Sequence, residues 1–316
     1  MKKIWIYAVV FSLFSFGCEQ SNRKDDSKEP AEKPLNKKKE LNVIDVETLK
    51  SELGMEGKEE DGQFKVTVPQ NDLNVMVDGF KIIPPMGLGS WAAFAPTSAQ
   101  PMVMGDIVVT EKDLKPVQQE IIQQGLTVTA IHNHFVRNEP DVMYMHIGGM
   151  ASEEKLAKSV KAIFDKVTEV RGANPSVTEM ASVENTLDTK RIDSILGYTG
   201  TMTNGVYKIT IGRPDVKLTE HSAPVSTFMG FNTWASWQGT PEKAAVAGDF
   251  AMLADEVELV IKALVENDIE VVAVHNHMVH EEPRIFFLHY WGIGPAEELA
   301  TGLREALDKT GVDQGR

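Results

Sequence analysis

The chain has 316 residues, 42% hydrophobic and 25% charged, a globular composition long enough for about two ordinary domains. Lys and Arg number 32 against 46 Asp and Glu, a net charge of −14. That balance excludes binding of nucleic acid or anionic lipid through bulk charge, because both need cationic patches.

The first element in chain order is a targeting segment over residues 1–18. Lys2 and Lys3 make a basic start, and Ile4 to Phe16 form an apolar run of 13 residues. Such a run is too short to span about 30 Å of hydrocarbon. It ends at Gly17-Cys18, and Cys18 is the only cysteine. A cysteine there resembles the acylated cysteine of bacterial lipoproteins, although Ser15 stands where those proteins usually carry Leu. The resemblance implies an extracytoplasmic chain, tied by lipid at Cys18 to a bacterial membrane on its periplasmic or cell-surface side. An ordinary cleaved signal is the alternative. One cysteine also excludes an intramolecular disulfide and a thiolate metal site. Residues 19–40 are polar and charged, cannot bury enough surface to offset their ordering entropy, and read as a flexible tether.

The remainder repeats itself. His132, His134 and His146 match His275, His277 and His289 at a constant offset of 143. The same offset aligns Trp91 with Trp234, Asp106 with Asp249, and Glu139-Pro140 with Glu282-Pro283. A tandem duplication follows, with a first repeat over 41–175 and a second over 184–316. Each repeat opens with a short helix ("DVETLKSEL", "DTKRIDSIL") and continues into alternating strands ("FKVTVPQ", "YKITIG") and a Trp-bearing strand. A longer helix follows, with Leu114, Val117 and Ile121, or Val257, Val260 and Leu264, forming one apolar stripe. Thr110 and Asp113 have the spacing of a capping box at its start. A His-bearing hairpin and a final helix (Leu156, Val160, Phe164; Leu299, Leu303, Leu307) close the repeat. This order predicts an α+β fold, each repeat a mixed or antiparallel sheet with two to three helices.

"TVTAIHNHFV" alternates, so His132 and His134 share one strand face, and a hairpin centred on Pro140 would set His134 opposite His146. The second copy would turn likewise at Pro283. Opposed Cβ atoms lie about 4.5–5.5 Å apart, close enough for imidazoles to converge. Three imidazoles with an open fourth position are a catalytic zinc arrangement, though other divalent transition metals also accept them. His132, His134 and His146 thus form one candidate metal site, and His275, His277 and His289 a second. The alternative is packed, hydrogen-bonded imidazoles without metal. Glu139 and Glu282 are candidate bases or fourth ligands, in a His-x-His-x4-Glu spacing that resembles the first metal motif of cupins locally. As residues beside a proline they equally fit a solvated turn. Trp91 and Trp234 are candidate ligand-stacking residues, and Asp106 and Asp249 candidate carboxylates behind the imidazoles. His280 has strand parity opposite to His277, which places it outside the cluster.

"WAAFAP", "GDIVVTEKDLKPVQQEIIQQGLTVTAIHNH" and "HNHMVHEEPRIFFLHYWG" resemble the LppY/LpqO-type lipoprotein domain, a family without an assigned function. The resemblance spans both repeats, most of residues 44–309. It implies a lipoprotein with two tandem copies of that domain, and it supplies no catalytic residues. The first copy departs from the pattern with "NEPDVMYMHIGG". The sequence therefore supports a lipid-anchored protein with two His-rich, metal-binding sites. Two further readings are a metal-dependent hydrolase with Glu282 as base, and a non-metal small-ligand binder or structural pseudo-dimer.

Overall fold

The computed structural model describes residues 41–172 and 179–312. Cys18, the targeting segment 1–18 and the tether 19–40 lie outside the described residues, among which no helix is long and apolar enough to cross a membrane.

The first repeat runs α1 (Val46–Leu53), β1 (Lys58–Glu60), β2 (Gln63–Pro69), β3 (Val75–Val77), β4 (Phe80–Ile82), β5 (Gly89–Ala95), β6 (Met102–Thr110), α2 (Glu111–Gln123), β7 (Thr127–His132), β8 (Asn138–Glu139), β9 (Val142–Met150) and α3 (Glu153–Arg171). The second runs α4 (Thr189–Leu196), β10 (Thr201–Thr203), β11 (Val206–Gly212), β12 (Thr219–Glu220), β13 (Ala223–Pro224), β14 (Asn232–Gly239), β15 (Ala244–Met252), α5 (Val257–Glu266), β16 (Glu270–His275), β17 (Glu281–Glu282), β18 (Phe286–Gly294) and α6 (Ala296–Leu307). Each repeat holds a six-stranded antiparallel sheet, β1-β2-β5-β6-β9-β7 or β10-β11-β14-β15-β18-β16. Three-stranded sheets, β4-β3-β8 and β13-β12-β17, stand beside them.

Four of the six helices of the described residues, α1 to α4, start at a side chain that caps them. Asp45 accepts from the Thr48 amide at 3.1 Å, and Thr110 with Asp113 forms the capping box of α2. The apolar stripes of the helices cover one face of each sheet. In the first repeat Leu49, Val117, Ile121, Leu156 and Val160 pack on Phe64, Val66, Ile107 and Ile147. In the second, Ile192, Val260, Leu264, Leu299 and Leu303 pack on Ile209, Phe250 and Leu288. Each such side chain contributes about 1.5–3 kcal/mol relative to exposure, so these cores hold each sheet to its helices.

The opposite faces of the two sheets meet one another. Val108 and Tyr144 share a core with Ala245, Ala247 and Trp291 of the second repeat. Ala93, Met102 and Met104 share another with Ala251, Met278 and Phe287. Hydrogen bonds cross the junction: Gln63 Nε2 donates to the Pro224 carbonyl at 3.1 Å, and Ser236 Oγ to the Pro85 carbonyl at 3.0 Å. The duplication is thus a docked pair of sheets with helices outside.

The His-bearing segment is not the simple hairpin expected. In β7 and β9, Ala130 pairs with His146 and His132 with Tyr144, so the pairing is centred on Asn138 and not on Pro140. A bulge between Val128 and Ala130 shifts the register, and residues 133–141 leave the sheet so that β8 can pair with β3. His134 therefore lies past the strand end and not opposite His146. The second copy behaves alike, with Ala273 opposite His289 and β17 captured by β12. Both Glu–Pro bonds, at 139–140 and 282–283, are cis.

Candidate functional site

Register places the site's residues in rows across each sheet. Asp106 on β6 lies opposite Trp91 on one side and His146 on the other. Asp249 lies likewise between Trp234 and His289. Directly paired residues project from the same face, here the face toward the other repeat. The two rows therefore converge where the sheets dock.

The outcome is one cluster of six imidazoles drawn from both repeats. Ring centroids of His132 and His275 lie 3.8 Å apart, those of His134 and His289 3.9 Å, and those of His146 and His277 4.0 Å. Within a repeat, His132 to His146 is 4.8 Å and His275 to His289 is 4.9 Å. Two separate sites, one per repeat, are therefore not what forms. The shortest histidine contacts are all between repeats, because the His-bearing faces are the ones buried by docking. His134 reaches the cluster despite lying beyond β7, held by a 3.1 Å contact of Nδ1 with the Gly87 carbonyl and by stacking on Tyr144 at 3.4 Å. His277 stacks on Phe287 at 3.3 Å in the equivalent place.

The protonation chemistry follows from burial. Desolvation holds all six imidazoles below the ordinary value of 6.5, and neighbouring imidazoles add to the effect on five of them. The rings are neutral at pH 7, with lone pairs available. His134, His146 and His289 each place Nδ1 at 3.1 Å from a backbone carbonyl, of Gly87, Gly105 and Gly248 respectively. A carbonyl only accepts, so Nδ1 carries the hydrogen and Nε2 the lone pair. Seven of the twelve ring nitrogens are buried with no hydrogen-bond partner: both of His132, both of His275, Nε2 of His146 and His289, and Nδ1 of His277.

Two carboxylates border the rings. Asp106 Oδ2 is 3.6 Å from His134 Nε2 and its Oδ1 3.9 Å from His132 Nε2, while Asp249 Oδ2 is 3.7 Å from His277 Nε2. Burial raises both carboxyl pKa values. Three groups place ligand atoms within 4.8 Å of one another: His132 with His146 and His275, His132 with His134 and His289, and Asp249 with His275 and His277. The first two groups each draw on both repeats.

Comparison with known families agrees with the doubling. A model described as "Domain of Unknown Function (DUF1259)" matches residues 47–166 and again 190–309. The chain belongs to the DUF1259 family. No curated protein matches it. Among solved structures, an unknown protein from Galdieria sulphuraria aligns at 12% identity over 68% of this chain and 95% of its own, with a TM-score of 0.18. A fused permuted hexameric shell protein from the RMM microcompartment aligns at 10% identity over 78% and 94%, with a TM-score of 0.20.

In this DUF1259 chain a cleft of about 230 Å³ opens beside the histidines, lined by Trp91, Trp234, Asp106, Asp249, Lys65 and Lys208. Trp91 and Trp234, the candidate ligand-stacking residues, form walls of this cleft. Glu139 and Glu282 do not join the site: both are exposed, on β8 and β17, held there by pairing with Met76 and Thr219. His280 also lies apart, with its ring beside His221. The lysines were missed. Lys65 Nζ lies 4.2 Å from the Trp91 ring and Lys208 Nζ 4.0 Å from Trp234, and burial lowers both pKa values to about 8. The signal was present, since both lysines alternate with apolar residues at the 143-residue offset.

Proposed function

We propose that the chain is a lipid-anchored extracytoplasmic protein whose two repeats jointly hold a transition-metal ion, with zinc the best chemical fit. The observation that carries this reading is the set of seven buried imidazole nitrogens without a partner. Each such group costs about 1–3 kcal/mol, and folded proteins keep only a few per hundred residues. Each neutral ring has a single lone pair, so a cation can take at most five of the seven and reverses that part of the penalty, whereas a purely structural packing of imidazoles leaves all of it in place. The carbonyl contacts at Nδ1 of His134, His146 and His289 support the same reading, because ligating histidines habitually donate their other ring N–H to such a group. Imidazole with carboxylate suits zinc, and also copper, nickel or iron. The anchoring half of the proposal rests on Cys18 and on the resemblance to LppY/LpqO-type lipoproteins.

The cleft favours a second reading, metal-dependent hydrolysis of a small anionic substrate. A zinc ion would act there as a Lewis acid on a carbonyl or phosphoryl oxygen. Lys65 and Lys208 would bind the anion, Trp91 and Trp234 would wall it, and Asp106 or Asp249 would take the base role that exposed Glu282 cannot reach from β17.

Elemental analysis of the full chain, purified without chelator or His-tag, tests the reading. Bound metal that is lost in His132→Ala supports it; metal-free chain that rejects added zinc, copper and nickel overturns it. Turnover of phosphate or carboxylate esters by the loaded chain separates the second reading from simple binding.

A further inference from the structure

We propose that Lys208, beside Trp234, is the residue by which the cleft recognises its ligand, a small oxyanion of the phosphate or carboxylate class, and that its counterpart Lys65 is not. The inference rests on the reading of the cleft as an anion site and not on the metal. Lys65 and Lys208 stand 143 residues apart, at equivalent places in the two repeats, and both line the cleft. Symmetry would give them equal roles, but their surroundings differ.

Lys65 is already held by the protein. Its Nζ donates to the Phe228 carbonyl at 3.1 Å and lies 4.2 Å from the Trp91 ring and 6.0 Å from the Phe228 ring. The carbonyl equivalent to that of Phe228, 143 residues earlier, belongs to Pro85, and there Ser236 Oγ donates instead, at 3.0 Å. The counterpart of Ser236 is Ala93, which has no hydroxyl to compete with Lys65. Lys208 Nζ is left without an acceptor among the described residues, 4.0 Å from the Trp234 ring. Neither carboxylate supplies one. Asp106 Oδ2 faces His134 Nε2 at 3.6 Å, and Asp249 Oδ2 faces His277 Nε2 at 3.7 Å while its Oδ1 accepts from the Leu288 amide. An ammonium carries three N–H donors, so Lys208 offers the cleft a half-buried cation with all three to give.

Its position ties Lys208 to one side of the histidine cluster. The Trp234 ring lies 6.3 Å from His134 and 6.2 Å from His289, two imidazoles whose centroids are 3.9 Å apart. After burial and the neighbouring imidazoles, the Lys208 charge is a further cause holding these two rings low. The wall itself is fixed: a Cβ on Gly87 would stand 3.0 Å from the Trp234 ring, so that ring packs directly on first-repeat backbone. An oxyanion on Lys208 would thus rest against an immobile aromatic face, with His134 and His289 beside it. A lysine ammonium acts as a point charge, which suits phosphate and carboxylate alike.

The test is calorimetric titration of the metal-free full chain at pH 7 with inorganic phosphate and, separately, with benzoate. The wild type should bind at least one of them, and which one assigns the oxyanion. Lys208→Met should weaken that binding by about tenfold or more, the loss of a charge-assisted hydrogen bond, and Lys208→Arg should recover most of it. Lys65→Met should weaken it by less than about threefold, the effect of a screened neighbouring charge. The thermal midpoint of Lys208→Met should be no lower than that of the wild type, because the lost cation has no protein partner; Lys208→Gln provides a second chain for the same comparison. A wild type that binds neither anion, equal losses in the two lysine variants, or full affinity in Lys208→Met overturns the proposal. Zinc uptake by the same chains keeps this result apart from the metal reading. Oxyanion binding through Lys208 in a chain that rejects zinc removes the metal alone, and zinc binding without oxyanion binding removes the anion site.

Discussion

His132 and His275 stack with their ring centroids 3.8 Å apart, although each is the other's counterpart in a duplication and 143 residues separate them. A residue and its own copy meet in this way only on the pseudo-two-fold axis relating the repeats. The six-imidazole cluster is therefore a property of the docked pair, and two of its three ligand groups need both repeats, the third being Asp249 with His275 and His277.

Protonation should weaken the metal-free chain. Burial holds each cluster histidine below 6.5 in the folded state, whereas the unfolded chain takes up protons from about 6.5 downward. The unfolded state then binds more protons, so stability is lost as pH falls below 6.5, by up to about 1.4 kcal/mol per pH unit per histidine. Asp106 and Asp249 act with the opposite sign: their raised carboxyls stabilise at low pH, and that contribution is lost as pH rises above 3.8. Six imidazoles outweigh two carboxyls, so urea midpoints of chelator-treated protein should drop between pH 7 and pH 5. A flat profile over that range would show that the rings are not buried together.

Lys65 and Lys208 should titrate near 8. In a metal-free chain carrying ¹³Cε-lysine, two resonances should show midpoints about 8, with burial as the first cause, against an ordinary value of 10.5. A spectrum in which every lysine titrates near 10.5 would remove both from the cleft interior.

Gly87→Ala should loosen the site. Gly87 has φ +99°, and a Cβ there would stand 3.0 Å from the Trp234 ring and 3.2 Å from His134 Nδ1. The left-handed backbone alone costs about 1 kcal/mol. The displaced His134 should lower metal affinity as well, read by zinc titration beside thermal unfolding. Unchanged affinity would mean that His134 is not a ligand.

The duplication and the helices were legible because they depend on local signals: a constant offset of 143, apolar steps of three and four, and the Thr110/Asp113 capping box. The inward direction of His132 was legible from strand alternation. The fusion of two sites into one was not, since Trp91, Ala93 and Ala95 alternate identically whether their face meets solvent or another sheet. Nor was the pairing centre at Asn138, which depends on a bulge at Val128/Ala130 and on capture of β8 by β3, both set by long-range packing.

Asp113→Ala should be among the most destabilising single changes away from the cluster. The Arg171 side chain is 6% exposed and donates to Asp113, to Gln70 and, at 2.7 Å, to the Val108 carbonyl. Removing the carboxylate leaves that buried guanidinium with Asp72 at 3.6 Å as its remaining charge partner and the α2 capping box broken, at about 1–3 kcal/mol. Chemical denaturation should show the loss, and Asp113→Leu with Arg171→Met should recover much of it.

The composite nature of the site is tested most directly by the metal content of a chain mutated in one repeat only. In an Asp249→Asn background, which breaks the one group confined to the second repeat, His134→Ala with His146→Ala alters only first-repeat ligands. The account predicts that elemental analysis finds essentially all bound metal gone, because the first-repeat rings complete the groups holding His275 and His289. Retention of half the metal, with the second repeat binding undisturbed, would contradict it.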